Sequence, residues 1–240
     1  MSGHSKWATI HRQKEIKDAK RGAIFTKLAA NITVAVKSGG GIADPSQNFR
    51  LRLAIDKAKQ FNMPKENVNR AIEKGMGGVL ENTLTEVVYE GFAPGGVAVM
   101  IEVLTDNKLR AAQAVREVFD KNGGTMGSSG AVAYLFSQKG EIRIKNKELK
   151  DEDELRIIDL AVSEIVRGED EWMIYCHPDQ TFVIRDRLAG MGCEVVGAEL
   201  VRLPETTVLV SDPGARVKIE KILEMLSELD DVQKVWTNYA

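Results

Sequence analysis

Lys14, Lys17 and Arg21 are spaced i, i+3 and i+7, so a helix through them stacks three cations on one face, and Lys20 and Lys27 repeat the seven-residue step on another. Further along, Arg50 and Lys57 flank one edge of an apolar stripe while Arg52 and Lys59 flank the other. Long cationic arms at this density suit phosphate oxygens, whose condensed counterions they release on contact; that gives affinity without reading a base sequence. Lys6 and Arg12 lie with Trp7, His4 and His11 near the start of the chain. An aromatic plane among cations can stack on an unpaired base, and Trp7 can equally pin the N-terminal arm to the rest of the fold. The candidate contacts to nucleic acid are Lys6, Trp7, Arg12, Lys14, Lys17, Lys20, Arg21, Lys27, Arg50, Arg52, Lys57 and Lys59.

Charge is divided along the chain. Residues 1–75 hold 15 Lys and Arg against 6 Asp and Glu, and residues 76–240 hold 18 against 29, so a head of +9 precedes a body of −11 although the whole chain nets −2. A solvated helical surface is the plain alternative for any run of Lys and Arg. With so few acids in the head, internal ion pairs cannot neutralise it, and a polyanion is the partner that such a field attracts. DNA or ribosomal RNA is the partner expected; a membrane or a small-molecule substrate is not. The joint between the long head helices, Ser38 to Pro45, is longer and richer in glycine than the turn of a helix-turn-helix. Phosphate contact and shape are therefore expected in place of major-groove reading.

Other chemistries lack their residues. The glycine cluster from Gly123 to Gly130 has no following Lys-Ser/Thr and lies after a helix and before a strand, the reverse of a phosphate loop. Its glycines are expected to serve turns with positive φ or the close approach of a partner. The histidines are His4, His11 and His177, with no His-x-x-x-His, no paired Cys motif and no Gly-x-Ser-x-Gly. The acidic runs Asp151 to Glu154 and Glu169 to Glu171 sit at a helix start and in a loop, where capping and solvation account for them. No catalytic residue, cofactor or metal is expected.

These side chains need elements to hold them. Apolar residues at steps of three and four predict one long helix over 16–36, a second from Ser46 to Phe61 with Leu51, Ala54, Ile55, Ala58 and Phe61 inward, and a third between Pro64 and Gly75. Strands are expected at 85–89, 97–104, 131–136, 141–145, 172–176, 193–203, 206–210 and 232–236. Helices are expected from Asp106 as cap to Lys121, over 153–167, from Pro178 to Ala189, and over 217–229. The architecture expected is α+β: a small N-terminal helical bundle followed by two ferredoxin-like α+β sandwiches, one inserted in the other. The bounds are 1–78 for the bundle, 79–134 plus 205–240 for a discontinuous domain and 135–204 for the insert, with three sequential domains as the alternative.

The length of 240 residues suits two or three small domains, and the 43% hydrophobic content can fill their cores. No apolar run approaches the ~20 residues of a membrane span, and the opening residues lack the apolar centre of a secretory signal. Cys176 and Cys193 form no paired motif and read as reduced thiols. A cytoplasmic protein is expected.

Short ordered motifs run through nearly the whole chain: Gly3-His4-Ser5-Lys6-Trp7, Asp18-Ala19-Lys20-Arg21, Ile24-Phe25-Thr26-Lys27, Gly39-Gly40, Asp44-Pro45, Leu51-Arg52, Asn62-Met63-Pro64 and Arg70-Ala71-Ile72 in the head. Tyr89-Glu90-Gly91, Pro94-Gly95-Gly96, Thr105-Asp106-Asn107-Lys108, Val115-Arg116, Gly123-Gly124, Val232-Gln233 and Asn238 continue them in the body. In these motifs the chain resembles the YebC/PmpR family, whose mitochondrial relatives include the translational activator of cytochrome oxidase subunit one. The resemblance implies a helical domain and two α+β domains, one inserted in the other, with no enzymatic activity. It implies either a DNA-binding transcriptional regulator or a translation factor on the ribosome that relieves stalling at proline-rich stretches. Ala23 and Ala30-Asn31 depart from the family's common Lys and Arg-Glu and thin the cationic face, and Ala8-Thr9 replaces the more usual Asn next to Trp7. A hydrolase or nuclease is the remaining alternative, and no geometry in the sequence favours it.

Overall fold

The computed structural model describes residues 21–77, 84–146 and 151–240. Three helices come first: α1 (Arg21–Ser38), α2 (Phe49–Gln60) and α3 (Lys65–Met76). Their apolar stripes meet in one core of Leu28, Ile32, Ala35, Val36, Leu51, Ala58, Met63, Val68 and Ala71. Of the stripe expected on the second helix, Leu51 and Ala58 are buried, and Ala54, Ile55 and Phe61 pack half-buried against the core. Thr33 Oγ1 donates to the carbonyl of Ala71 at 3.0 Å, tying α1 to α3 inside this core. Gly75 does not stop α3, as its position suggests, but lies inside it and buried, where a Cβ would come 2.6 Å from Val36 Cβ. Only glycine lets the two helices approach that closely.

The chain continues through β1 (Thr85–Ala93), β2 (Val97–Thr105), α4 (Lys108–Lys121), β3 (Thr125–Met126) and β4 (Phe136–Lys145). Then come α5 (Asp151–Ile158), β5 (Glu164–Arg167), β6 (Glu171–Cys176), α6 (Thr181–Gly190) and β7 (Val195–Pro204), and last α7 (Pro213–Glu228) and β8 (Val232–Thr237). Two four-stranded sheets result, ordered β3-β1-β2-β8 and β5-β6-β4-β7. The first therefore combines strands from before and after the second. Among the described residues, 137–203 form one compact unit, and those before 137 together with 204–240 form another.

In the first sheet, β1 and β2 form an antiparallel hairpin from Thr85 opposite Thr105 to Ala93 opposite Val97. Gly95 and Gly96, at φ +78° and +76°, make the connection, a conformation that disfavours any residue with a Cβ. Val97, Val99, Ile101 and Val103 alternate onto the face that packs against Val115 and Phe119 of α4 and Ile219, Ile222 and Leu223 of α7. Each such side chain contributes about 1.5–3 kcal/mol by leaving water. Ala98 and Met100 on the other face are covered by Val132 and Phe136. The second sheet follows the order of a split βαββαβ unit and closes on Ile142, Ile144, Ile157, Trp172, Ile174, Ile184 and Leu188.

Several elements differ from the sequence reading. The helix expected over 153–167 ends at Ile158, and Glu164–Arg167 is a strand paired with β6. Ala161, at φ +61°, turns the chain between them, and no glycine marks the turn. Residues 131–135 are a loop and a 3-10 turn, not a strand, because their N–H groups bind a carboxylate in place of a neighbouring strand. Residues 206–210 contribute a single bridge, Val208 to Tyr239. The cap of α4 is Asn107, whose side chain accepts from Arg110 N, and Asp106 instead meets the Arg110 guanidinium at 2.8 Å.

Candidate nucleic-acid interface

Lys6, Trp7, Arg12, Lys14, Lys17 and Lys20 lie outside the described residues, and Arg21 is the first residue of α1. The remaining candidates are placed. Lys27 is half-buried and its Nζ donates to the Ser227 carbonyl at 2.9 Å. Arg50 Nη1 lies 3.1 Å from Glu86 Oε2 on β1 and 3.3 Å from Ser38 Oγ. Arg52 donates through Nε to the Pro45 carbonyl at 2.9 Å and through Nη2 to that of Ser46 at 3.0 Å. Lys59 sits 3.5 Å from Asp56, one turn away, and Lys57 is half-buried on the same helix. Lys27, Arg50 and Arg52 thus have partners within the fold.

The joint between α1 and α2 is built around Asn48. Its Nδ2 donates to the carbonyls of Ala35 and Ile42, each at 2.9 Å, and its Oδ1 accepts from Leu51 N at 3.1 Å. One amide therefore bridges a carbonyl in the last turn of α1 and the N–H opening α2, the latter a group that a helix leaves without a partner. Gly39 has to be glycine, since a Cβ would fall 2.3 Å from Asn48 Nδ2. The Ser46 backbone N–H, 2.9 Å from Asp44 Oδ1, holds the Asp44 carboxyl below the usual carboxylate range, and Gln47 and Arg52 act in the same direction.

On the face of the first sheet that Val132 and Phe136 cover, Glu90 is only 4% exposed. Its carboxylate accepts from the N–H groups of Gly130 at 2.7 Å, Val132 at 2.6 Å and Ala133 at 2.9 Å. The Gly127 N–H donates to its main-chain carbonyl at 2.8 Å. The loop so gathered leaves Ser128, Ser129 and Gly130 exposed, with Tyr134 72% exposed beside them. The sequence reading misses Glu90 as an organiser; an acid amid a β-branched strand opposite a glycine-rich loop is the signal that could have found it.

Several titratable groups around the second sheet are engaged with one another. In Ser137–Leu203, Tyr175 Oη donates to Glu141 Oε2 at 2.8 Å, and Arg143 lies 3.8 Å from Glu141 and 3.4 Å from Glu171, a network of opposite charges. His177 is 3.5 Å from Asp179, both well exposed. Burial pushes the Cys176 and Cys193 thiols up, away from nucleophilic character at neutral pH. Among the described residues no group of three His, Cys, Asp or Glu could hold a metal, and no helix is long and apolar enough to cross a membrane.

A helical head together with two four-stranded α+β sheets is the class of protein that this geometry defines. The family model described as TACO1/YebC protein N-terminal domain matches residues 5–78, and that described as TACO1/YebC second and third domain matches residues 84–239. A probable transcriptional regulatory protein of Syntrophomonas wolfei is 44% identical over 243 residues, covering 100% of this chain and 96% of the relative. One of the same description from Chloroflexus aurantiacus is 46% identical over 241 residues, covering 99% and 95%. The crystal structure of a conserved hypothetical protein from Aquifex aeolicus superimposes with a TM-score of 0.84 at 42% identity, covering 93% of this chain and 91% of that one. The chain belongs to the TACO1/YebC family.

Proposed function

We propose that this protein is a non-enzymatic, cytoplasmic regulator of gene expression that binds nucleic acid through its basic head and needs no cofactor and no small-molecule substrate. The observation that carries the reading is the division of charge, +9 in residues 1–75 against −11 in the remainder. Relatives described as probable transcriptional regulatory proteins support duplex DNA as the partner. Lys27, Arg50 and Arg52 already serve the fold, so the phosphate contacts rest chiefly on Lys14, Lys17, Lys20 and Arg21, with Lys6, Trp7 and Arg12 alongside. A ribosome-associated translation factor gripping ribosomal RNA is the second reading, favoured by the acidic body, which repels a long duplex but suits an adaptor with one RNA-facing end.

Replacing Lys14 and Arg21 together by Glu should weaken binding strongly and leave the folded state intact. Each lost phosphate contact lowers the log-log salt slope by about 0.7 to 0.9. An unchanged slope would show these side chains to be merely solvated. A specific duplex reader prefers its site over random duplex by at least ~10³ at fixed salt. Co-sedimentation with ribosomes at low salt separates the two readings: a protein that stays entirely free rules out the translation factor.

A further inference from the structure

The head and the first sheet close separate apolar cores, one on Leu28, Ile32, Leu51 and Val68 and the other on Val99, Ile101, Ile219 and Leu223. Among the described residues, polar contacts tie α1 and α2 to the first sheet and to the helix α7 packed on it. Lys27 Nζ reaches the Ser227 carbonyl at 2.9 Å in the last turn of α7, where helix carbonyls lack onward partners and the helix dipole favours a cation. Asn31 Nδ2 donates to Gln233 Oε1 at 3.0 Å. Arg50 pairs with Glu86 at 3.1 Å, with 53% and 55% of the two side chains exposed.

We propose that these contacts are a latch that a polyanion opens. Phosphates compete for Lys27 and Arg50, so that binding of nucleic acid by the head is coupled to its release from the sheet. This rests on the nucleic-acid reading above. The competition is unequal. An exposed ion pair such as Arg50 with Glu86 is weak and screened by salt. A strand of nucleic acid, by contrast, presents a full charge at every phosphate, in a row that several cations of the head can meet at once. Linkage then requires that whatever holds the latch closed is subtracted from binding, so weakening the latch must tighten it.

Asn31 and Gln233 provide the test because they are uncharged and lie outside the cationic set. In the full chain, Asn31→Ala with Gln233→Ala should bind short duplex DNA or an RNA hairpin about three- to tenfold more tightly than the parent at low salt. Equal or weaker binding by a folded variant overturns the proposal. The second measurement is energy transfer between dyes at Glu73→Cys on α3 and Glu220→Cys on α7, in a Cys193→Ser background with Cys176 buried. Transfer should fall when inorganic polyphosphate is added at low salt, and in its absence should fall when salt is raised. If neither protein binds DNA or RNA, the nucleic-acid reading fails while polyphosphate still decides the latch. Transfer unchanged at saturating polyphosphate overturns it.

Discussion

Two glycine-rich loops, one in the head and one on the first sheet, are each gathered around a single buried polar side chain, yet one uses a neutral amide and the other a carboxylate. The loop between α1 and α2 presents Asn48 with groups of both kinds, the carbonyls of Ala35 and Ile42 and the N–H of Leu51. An amide has donors and an acceptor and can serve them all. The loop over β1 turns the N–H groups of Gly130, Val132 and Ala133 inward toward Glu90, and an ionised carboxylate, acceptor only, is matched to them. The polarity of the surrounding main chain, and not the glycine content shared by both loops, selects the residue at the centre.

The sharpest way to break the comparison is to empty the carboxylate site. Glu90→Ala leaves three N–H groups without their charge-assisted acceptor, at Gly130, Val132 and Ala133. It should cost roughly 3–5 kcal/mol of unfolding free energy in a denaturant titration, since charge-assisted bonds are the strong ones. Glu90→Gln keeps one acceptor but turns an NH₂ toward donors, and should recover only part of the loss. Full stability in Glu90→Gln would mean that charge is not what the loop selects.

Asn48→Ala should cost less, about 2–3 kcal/mol, combining a lost helix cap with the loss of the amide donor to the Ile42 carbonyl and of one of the donors to that of Ala35. Asn48→Asp sharpens the comparison further. The cap to Leu51 survives, but a carboxylate then faces the Ala35 and Ile42 carbonyls, so this near-isosteric exchange should stabilise no better than alanine. If Asn48→Asp proves as stable as the parent, the cap alone matters at this position.

How legible each loop was in the sequence follows from the same physics. The glycines near 39–41 and 123–130 announced turns, and Gly40, Gly41, Gly123 and Gly130 have φ between +71° and +84°. The helices of the head were legible because Leu51, Ala58, Val68 and Ala71 recur at the helical period and are buried together. Glu90 was not, because a side chain that binds main-chain N–H groups of a distant loop leaves no periodic trace. The strand Glu164–Arg167 was hidden for a related reason: Ile165 continues the helical spacing of α5, and the break falls at Ala161, a residue that favours helix. Lys27 and Arg50 look like the other cations of the head, and only the fold reveals the carbonyl and carboxylate that occupy them.

Smaller effects test whether the loops differ beyond their central residues. A Cβ on Gly40 or Gly130 would meet nothing within 4 Å, and both have positive φ, +71° and +84°. Replacing either by Ala therefore isolates the backbone term, about 1 kcal/mol, and the two losses should agree. A Gly130→Ala cost well above that of Gly40→Ala would show that the carboxylate-bound loop tolerates less displacement than the amide-bound one.

The smallest expected effect belongs to Asp44, the one ionisable group within the amide-centred loop. Its pKa is lowered first by the Ser46 backbone N–H and then by the Ser46 and Gln47 side chains and Arg52. A carboxyl lowered on folding stabilises the loop above its unfolded pKa, and that contribution disappears as the pH falls through the lowered value. Carboxyl chemical shifts followed from neutral pH downward should therefore place the Asp44 midpoint below the ordinary 3.8. The Ser46 amide signal should move with it, since its N–H loses an ionised acceptor at that step. Because Asp44 is open to solvent, it is screened by salt, and the midpoint should drift back toward its ordinary value as ionic strength rises. A midpoint that starts at the ordinary value would mean that Ser46 does not hold the carboxylate in solution. Asn48 would then order the loop without a charged group beside it.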